Sequence, residues 1–322
     1  MSSVSESSTI SVIGQERVIA FLERAAAADR LSHAYLFVGP EGVGKTTVIH
    51  WFLQTLFPEG LAHPDISFVR RLSDEKTGKI KSAITVEQIR TLRERLGMSA
   101  FLGGYKAAVI EEADVLNLEA SNALLKLLEE PTVKTILMLR ATSPEQLLPT
   151  LVSRCQILRC PFVSEQKMIH GLEIRGIHSE EAKKMARISH GCPGRAFRFL
   201  ENPEERIQEE KTCANLMALL QKPLSERLVL AAEQVPKEEA NRIESLLHLL
   251  NIWEWMLRDL FLISSGIEKN YAEFFGEIFV SLAKSRSPNQ WSRILKVLRK
   301  IRIDFSSHVN PQLAIEHLFL SF

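Results

Sequence analysis

The sequence predicts a parallel α/β sheet carrying a phosphate-binding loop, followed by a region built from helices alone. Three observations carry this. The run Gly39-Pro40-Glu41-Gly42-Val43-Gly44-Lys45-Thr46 stands between an apolar strand and a helix. Short apolar runs alternate with segments of helical period up to Pro161. Beyond Pro161, strand-like runs stop and only the helical period continues.

Taken in order, Val18, Ile19, Phe21, Leu22 and Ala25 recur at helical spacing and predict a helix over 15–30. Ala34-Tyr35-Leu36-Phe37-Val38 is the first strand, and the helix after the glycine loop, over 45–56, stops before Pro58. Thr85-Val86-Glu87-Gln88 has the form of a capping box. With Ile89, Leu92 and Leu96 on one face, it predicts a helix over 85–97. Ala107-Ala108-Val109-Ile110 is a buried strand, 118–130 a helix ended by Pro131, 135–141 a third strand and 155–158 a fourth. Residues 164–173, 179–189 and 194–200 read as three short helices, and Glu201-Asn202-Pro203-Glu204-Glu205-Arg206 as a polar linker. From 207 on, apolar residues three and four apart, among them Leu246, Leu249, Leu250, Trp253 and Met256, predict a helical domain whose role is contact.

The glycine loop defines the chemistry. Gly39, Gly42 and Gly44 let backbone N–H groups turn toward an anion, with Pro40 shaping the turn and Thr47 in the first helical turn. Lys45 reaches the β- and γ-phosphates, and Thr46 offers its hydroxyl to Mg2+. Acidic partners belong at the end of a neighbouring strand. Glu111 and Glu112 stand there, the first as the metal-side carboxylate and the second as the group orienting water. Glu111 has one methylene more than the usual Asp, which predicts weakened hydrolysis, so that binding and turnover separate. Thr142 and Ser143, closing the third strand, are candidates for a polar sensor of the γ-phosphate. Arg154, in Ser153-Arg154-Cys155, and Arg195, in Gly191-Cys192-Pro193-Gly194-Arg195, are candidate cations for phosphoryl charge. Arg154 is open to acting on its own nucleotide or on a neighbour's.

Composition bounds the remainder. A chain of 322 residues exceeds what one core normally serves, predicting about two or three domains. With 45% hydrophobic and 25% charged residues, it reads as a soluble globular protein. There is no apolar run of about 18 residues, so no membrane span is expected. The Ser-rich start, 1–10, lacks a signal-peptide pattern and reads as a disordered leader of a cytoplasmic protein. Cys155, Cys160, Cys192 and Cys213 form no C-x-x-C pair and read as buried thiols. A net charge of +1 argues against a broad nucleic-acid-gripping surface on this chain alone.

Together, Ile13-Gly14-Gln15, His33 to Pro40, His63-Pro64-Asp65, Asn122 to Pro131 and Ser153-Arg154-Cys155 resemble the clamp-loader subunits of bacterial DNA polymerase III, which are AAA+ proteins. The match covers about residues 10–200. Ile84 to Arg90 and Gly191 to Ala196 look more like the delta-prime branch than the gamma/tau motors. The resemblance implies an AAA+ nucleotide-binding domain over 11–162, a small helical lid over 163–206 and an all-helical collar over 207–322 that builds a ring. That ring contains gamma/tau and delta subunits and uses ATP and Mg2+ to open the sliding clamp and place it on primed DNA. Arg154 would act in trans on the adjacent subunit's ATP, Arg195 would be the lid sensor, and this chain would serve mainly as scaffold and arginine donor. Polymerase activity would belong to the holoenzyme. Relatives commonly hold a four-cysteine zinc module before the His-Pro-Asp motif. Residues 54–62 contain no cysteine, so no zinc is expected. Two alternatives stand beside this reading: an ATP-hydrolysing gamma/tau-like motor, and a free-standing AAA+ ATPase that remodels DNA.

Overall fold

The computed structural model describes residues 11–74, 78, 80–101, 104–233, 242–267, 272–305 and 310–322. The leader expected over 1–10 lies outside the described residues. The chain divides into two compact units, Met1–Phe197 and Arg198–Phe322.

The first unit runs α1 (Glu16–Ala27), β1 (Ala34–Val38), α2 (Lys45–Leu56), β2 (Ile66–Val69), α3 (Val86–Gly97), β3 (Lys106–Ile110), α4 (Leu118–Glu129), β4 (Thr135–Ala141), α5 (Pro149–Val152) and β5 (Gln156–Arg159). It continues with α6 (Glu165–Ile174), α7 (Ser179–Ile188) and the start of α8 (Pro193–Glu201). The strands pair in the order β2-β3-β4-β1-β5, and every pairing is parallel. Side chains bond the backbone N–H groups at the head of two of these helices. Asn117 Oδ1 accepts from Ala120 N at 2.8 Å at the head of α4, and Gln88 Oε1 accepts from Thr85 N at 3.2 Å at the head of α3.

β2 is a fifth strand where four were expected. It has only four residues, one of them Ser67, and lies at the sheet edge with Phe68 38% exposed, so it offers no long apolar run to read.

Alternation along the strands sorts the core into two layers. Tyr35 and Phe37 of β1, Ala107 and Val109 of β3, and Ile136 and Met138 of β4 pack with Val48, Ile49 and Phe52 of α2. Leu36, Ala108, Ile110, Leu137 and Leu139 face the opposite way, onto Leu92 of α3 and Leu124 of α4. This places the loop between β1 and α2 at the carboxyl edge of the sheet, where open parallel sheets bind ligands.

Among its described residues the second unit has helices and no strand: α9 (Pro203–Leu220), α10 (Leu224–Glu233), α11 (Arg242–Ser264), α12 (Ala272–Lys284), α13 (Pro288–Asp304) and α14 (Pro311–Ser321). Its core holds Trp253, Phe279, Trp291 and Phe319, each at most 1% exposed. Burying each Phe contributes about 1.5–3 kcal/mol. The polar handle of Trp291 is satisfied within that core, its Nε1–H donating to Ala283 O at 2.9 Å. The expected polar linker over 201–206 is absent. Glu201 still belongs to α8, Asn202 is the single break, and Pro203 opens α9 at the first helical position, where its missing N–H costs nothing.

Candidate functional site

The glycine loop is held tightly from behind. A Cβ on Gly39 would lie 2.2 Å from the carbonyl oxygen of Cys160, just past β5, so only glycine fits there. Gly44 takes φ 104 at the head of α2, the left-handed region that glycine tolerates. Two further contacts fix the loop from α1 and α8. The Gln15 side-chain amide donates to Val43 O at 3.2 Å and to Pro161 O at 2.8 Å, and Gly194 N–H donates to Gly42 O at 2.8 Å. The amino end of α8 therefore rests on the loop, and this brings buried Arg195 beside it.

Lys45 is 6% exposed and curls back on its own loop, donating to Pro40 O at 2.8 Å and to Gly39 O. Burial, and then the nearby Arg140 guanidinium, push its ammonium down to about 8, against the pull of Asp114 and Glu41. Thr46 and Thr47 lie in the first turn of α2 with Lys45.

Arg140 and Asp114 belong to this site, and the sequence reading missed both. Arg140 lies on β4 in register with Phe37 of β1, on the layer shared with Met138 and α2. Its Nη1–H donates to Thr46 Oγ1 at 2.9 Å and its Nε–H to Glu111 O. Asp114, in a short 3-10 turn after β3, accepts from Thr142 N at 3.1 Å and is bonded to the Thr142 hydroxyl. The expected sensor Thr142 is thus tied to Asp114. Ser143, its neighbour, is bonded to Glu145.

The acidic pair is placed differently from the expectation. Glu112 is gripped by Arg71 through two bonds of 2.8 and 3.0 Å, which commits both carboxylate oxygens. Glu111 gives its carbonyl to Arg140, while its carboxylate acts on His50 of α2. P-loop nucleotide sites hold Mg2+ on the hydroxyl of the loop's Ser or Thr. Mg2+ needs a close shell of oxygen ligands, and here the oxygen expected to face it, Thr46 Oγ1, already holds a cation, the Arg140 guanidinium. The Thr46 hydroxyl, with Arg140 on it, does not fit the metal in the place expected for it.

Arg154 stands apart from the loop. It precedes β5 and so lies at the amino edge of the parallel sheet, whereas Lys45 lies at the carboxyl edge. A strand of five residues spans about 17 Å at roughly 3.3 Å per residue. Arg154 pairs with Glu129 at the end of α4 at 2.8 Å and donates to Thr150 O at 3.1 Å, with its side chain 37% exposed.

A parallel five-stranded sheet, a glycine loop at the carboxyl end of β1 and helices resting on that loop define a P-loop AAA+ domain. Residues 14–163 match the family model for DNA polymerase III, delta subunit. DNA polymerase III subunit delta' of Bacillus subtilis is 30% identical over 95% of this chain and 95% of its own. Its counterpart in Pseudomonas aeruginosa is 32% identical over 60% of this chain, and that alignment spans 63% of the Pseudomonas protein. A solved gamma-subunit-related protein of Thermotoga maritima aligns over 93% of this chain and 97% of that chain, at 14% identity and TM-score 0.42. The chain belongs to the delta-prime family of DNA polymerase III clamp-loader subunits.

Proposed function

We propose that this chain acts in a clamp-loading ring as scaffold and arginine donor, holding nucleotide at its own loop and turning it over poorly. The observation that carries this reading is the position of Arg154. It sits across the sheet from its own Lys45, half-exposed, and among the described residues its side chain is tethered by contacts of its own neighbourhood, Glu129 and Thr150. A guanidinium there serves a neighbour's triphosphate more readily than its own, and such a charge in trans accelerates phosphoryl transfer.

The nucleotide half rests on the complete loop and buried Lys45. Poor turnover rests on Glu112, which Arg71 holds in a two-pronged pair and which is therefore poorly placed to orient water. Arg195 serves as the lid contact to nucleotide, since α8 starts on Gly42. The partners on this reading are gamma/tau and delta subunits, the sliding clamp and, through the assembly, primed DNA in the cytoplasm. Among the described residues no helix is long and apolar enough to cross a membrane.

Reconstitution tests it. With this chain as the varied subunit, Arg154→Ala lowers the ATPase of the assembly by about a thousandfold or more at the affected site, in line with arginine fingers. Lys45→Ala lowers it far less. Loss on Lys45→Ala with no effect of Arg154→Ala makes the chain a gamma/tau-like motor instead.

A further inference from the structure

We propose that Arg140 takes the place of the divalent cation at this loop, so that the chain binds the triphosphate of a nucleotide without Mg2+. The inference deepens the nucleotide-binding reading above and rests on it.

Arg140 is placed for this by the fold. On β4, Ile136 and Met138 point into the layer under α2, and alternation sends the next residue of that set, Arg140, to the same side at the carboxyl end of the strand. Register with Phe37 sets it one residue short of the end of β1, from which the loop departs. There its Nη1–H reaches Thr46 Oγ1 at 2.9 Å, the oxygen that a P-loop ordinarily turns to its metal. Its Nε–H is braced on Glu111 O, so the guanidinium is anchored at two points, the residue after β3 and the first turn of α2.

Three physical consequences follow. A fixed positive charge at hydrogen-bond distance from Thr46 repels a divalent ion entering the same place. Two guanidinium donors are committed to protein, and among the described residues the remaining N–H groups of Arg140 hold no protein acceptor. They form the part of the planar fork suited to bridging phosphate oxygens. Of the carboxylates nearby, Glu112 is held by Arg71 and one oxygen of Asp114 by Thr142. Arg140 and Lys45 together supply the positive charge, and a monovalent organic cation cannot polarise water as a metal does. Nucleotide retention without hydrolysis is the expected result.

Calorimetric titration of the full chain with ATP and with inorganic tripolyphosphate, in excess EDTA and in excess Mg2+, tests this. The wild-type chain binds both probes in EDTA with a Kd within about threefold of the Mg2+ value, because a charge-assisted fork replaces the ion. Arg140→Leu weakens binding in EDTA by about tenfold or more and makes it Mg2+-dependent, while Arg140→Lys, which keeps the charge without the fork, falls between. The wild-type comparison stands even if a variant fails to fold. Wild-type binding that needs Mg2+ and is unchanged in Arg140→Leu overturns the metal-substitute role and leaves nucleotide binding intact. No binding of either probe in either buffer overturns the nucleotide reading itself, and this inference with it.

Discussion

Gly194 N–H donates to Gly42 O at 2.8 Å, so the first turn of α8 and the phosphate loop share a backbone bond. A Cβ added at Gly194 would stand 3.1 Å from the Gly42 backbone, tighter than ordinary contact. The loop's conformation and the position of Arg195 are therefore coupled, and an anion bound in the loop is felt at α8. Gly194→Val is expected to separate the two. Amide hydrogen exchange over 193–197 rises in the variant, and nucleotide protects this segment in wild type but not in Gly194→Val.

Gly39 has less room still, with Cys160 O at 2.2 Å from any added Cβ. Gly39→Ala must move β5 or the loop. It costs about 1–3 kcal/mol or more, the range for overpacking, seen as a lowered denaturant midpoint. Cys160→Ala, which leaves that carbonyl in place, does not rescue it.

The Arg154 to Glu129 pair is a half-exposed surface contact. Glu129→Ala changes the stability of the isolated chain by at most about 1 kcal/mol, since such pairs are screened and entropically costly. It leaves Arg154 free to reach outward, so assembly ATPase is retained or raised. A collapse of the isolated chain on Glu129→Ala would show that the pair is structural.

Lys45 sets a pH dependence whose sign is defined. Burial and Arg140 bring its ammonium to about 8 in the free chain. Below that pH the group is already charged and anion affinity is flat. Above it, binding must take up a proton, so Kd rises by up to about tenfold per pH unit until the pKa of the bound state is passed. Folding has the opposite sign. The unfolded chain holds the Lys45 proton up to its ordinary 10.5, so this residue favours the folded state increasingly as pH rises from about 8 toward that value. Arg140→Leu removes a neighbouring positive charge and moves the break in affinity to higher pH.

Much of this architecture is legible in the chain. β1, α2 and β4 begin and end where the apolar runs and the glycine loop place them, because each boundary carries a local signal: Gly39, Gly44 or the polar pair after Ala141. Short helices after Pro161 follow for the same reason. What the sequence hides are the relations between strands. Arg140 reads locally as the polar end of an apolar run. Its significance needs the strand order that sets β4 beside β1, which decides that the Met138 layer is the α2 layer. Glu112 looks like a free acid until Arg71, 41 residues away, is brought against it by the β2 to β3 pairing. β2 itself is too short and too exposed to announce its period. Arg154 was identified from its motif, while its place at the far edge of the sheet comes only from the parallel register of β5.

The central claim is that Arg154 belongs to a neighbour's triphosphate. A structure of the assembled clamp loader with an ATP analogue measures this directly, as the separation between the Arg154 guanidinium and the nearest γ-phosphate. A contact of about 3 Å to the nucleotide of the adjacent subunit is predicted, with Glu129 released. Arg154 still on Glu129 and remote from every subunit junction, or turned toward its own Lys45, contradicts the account.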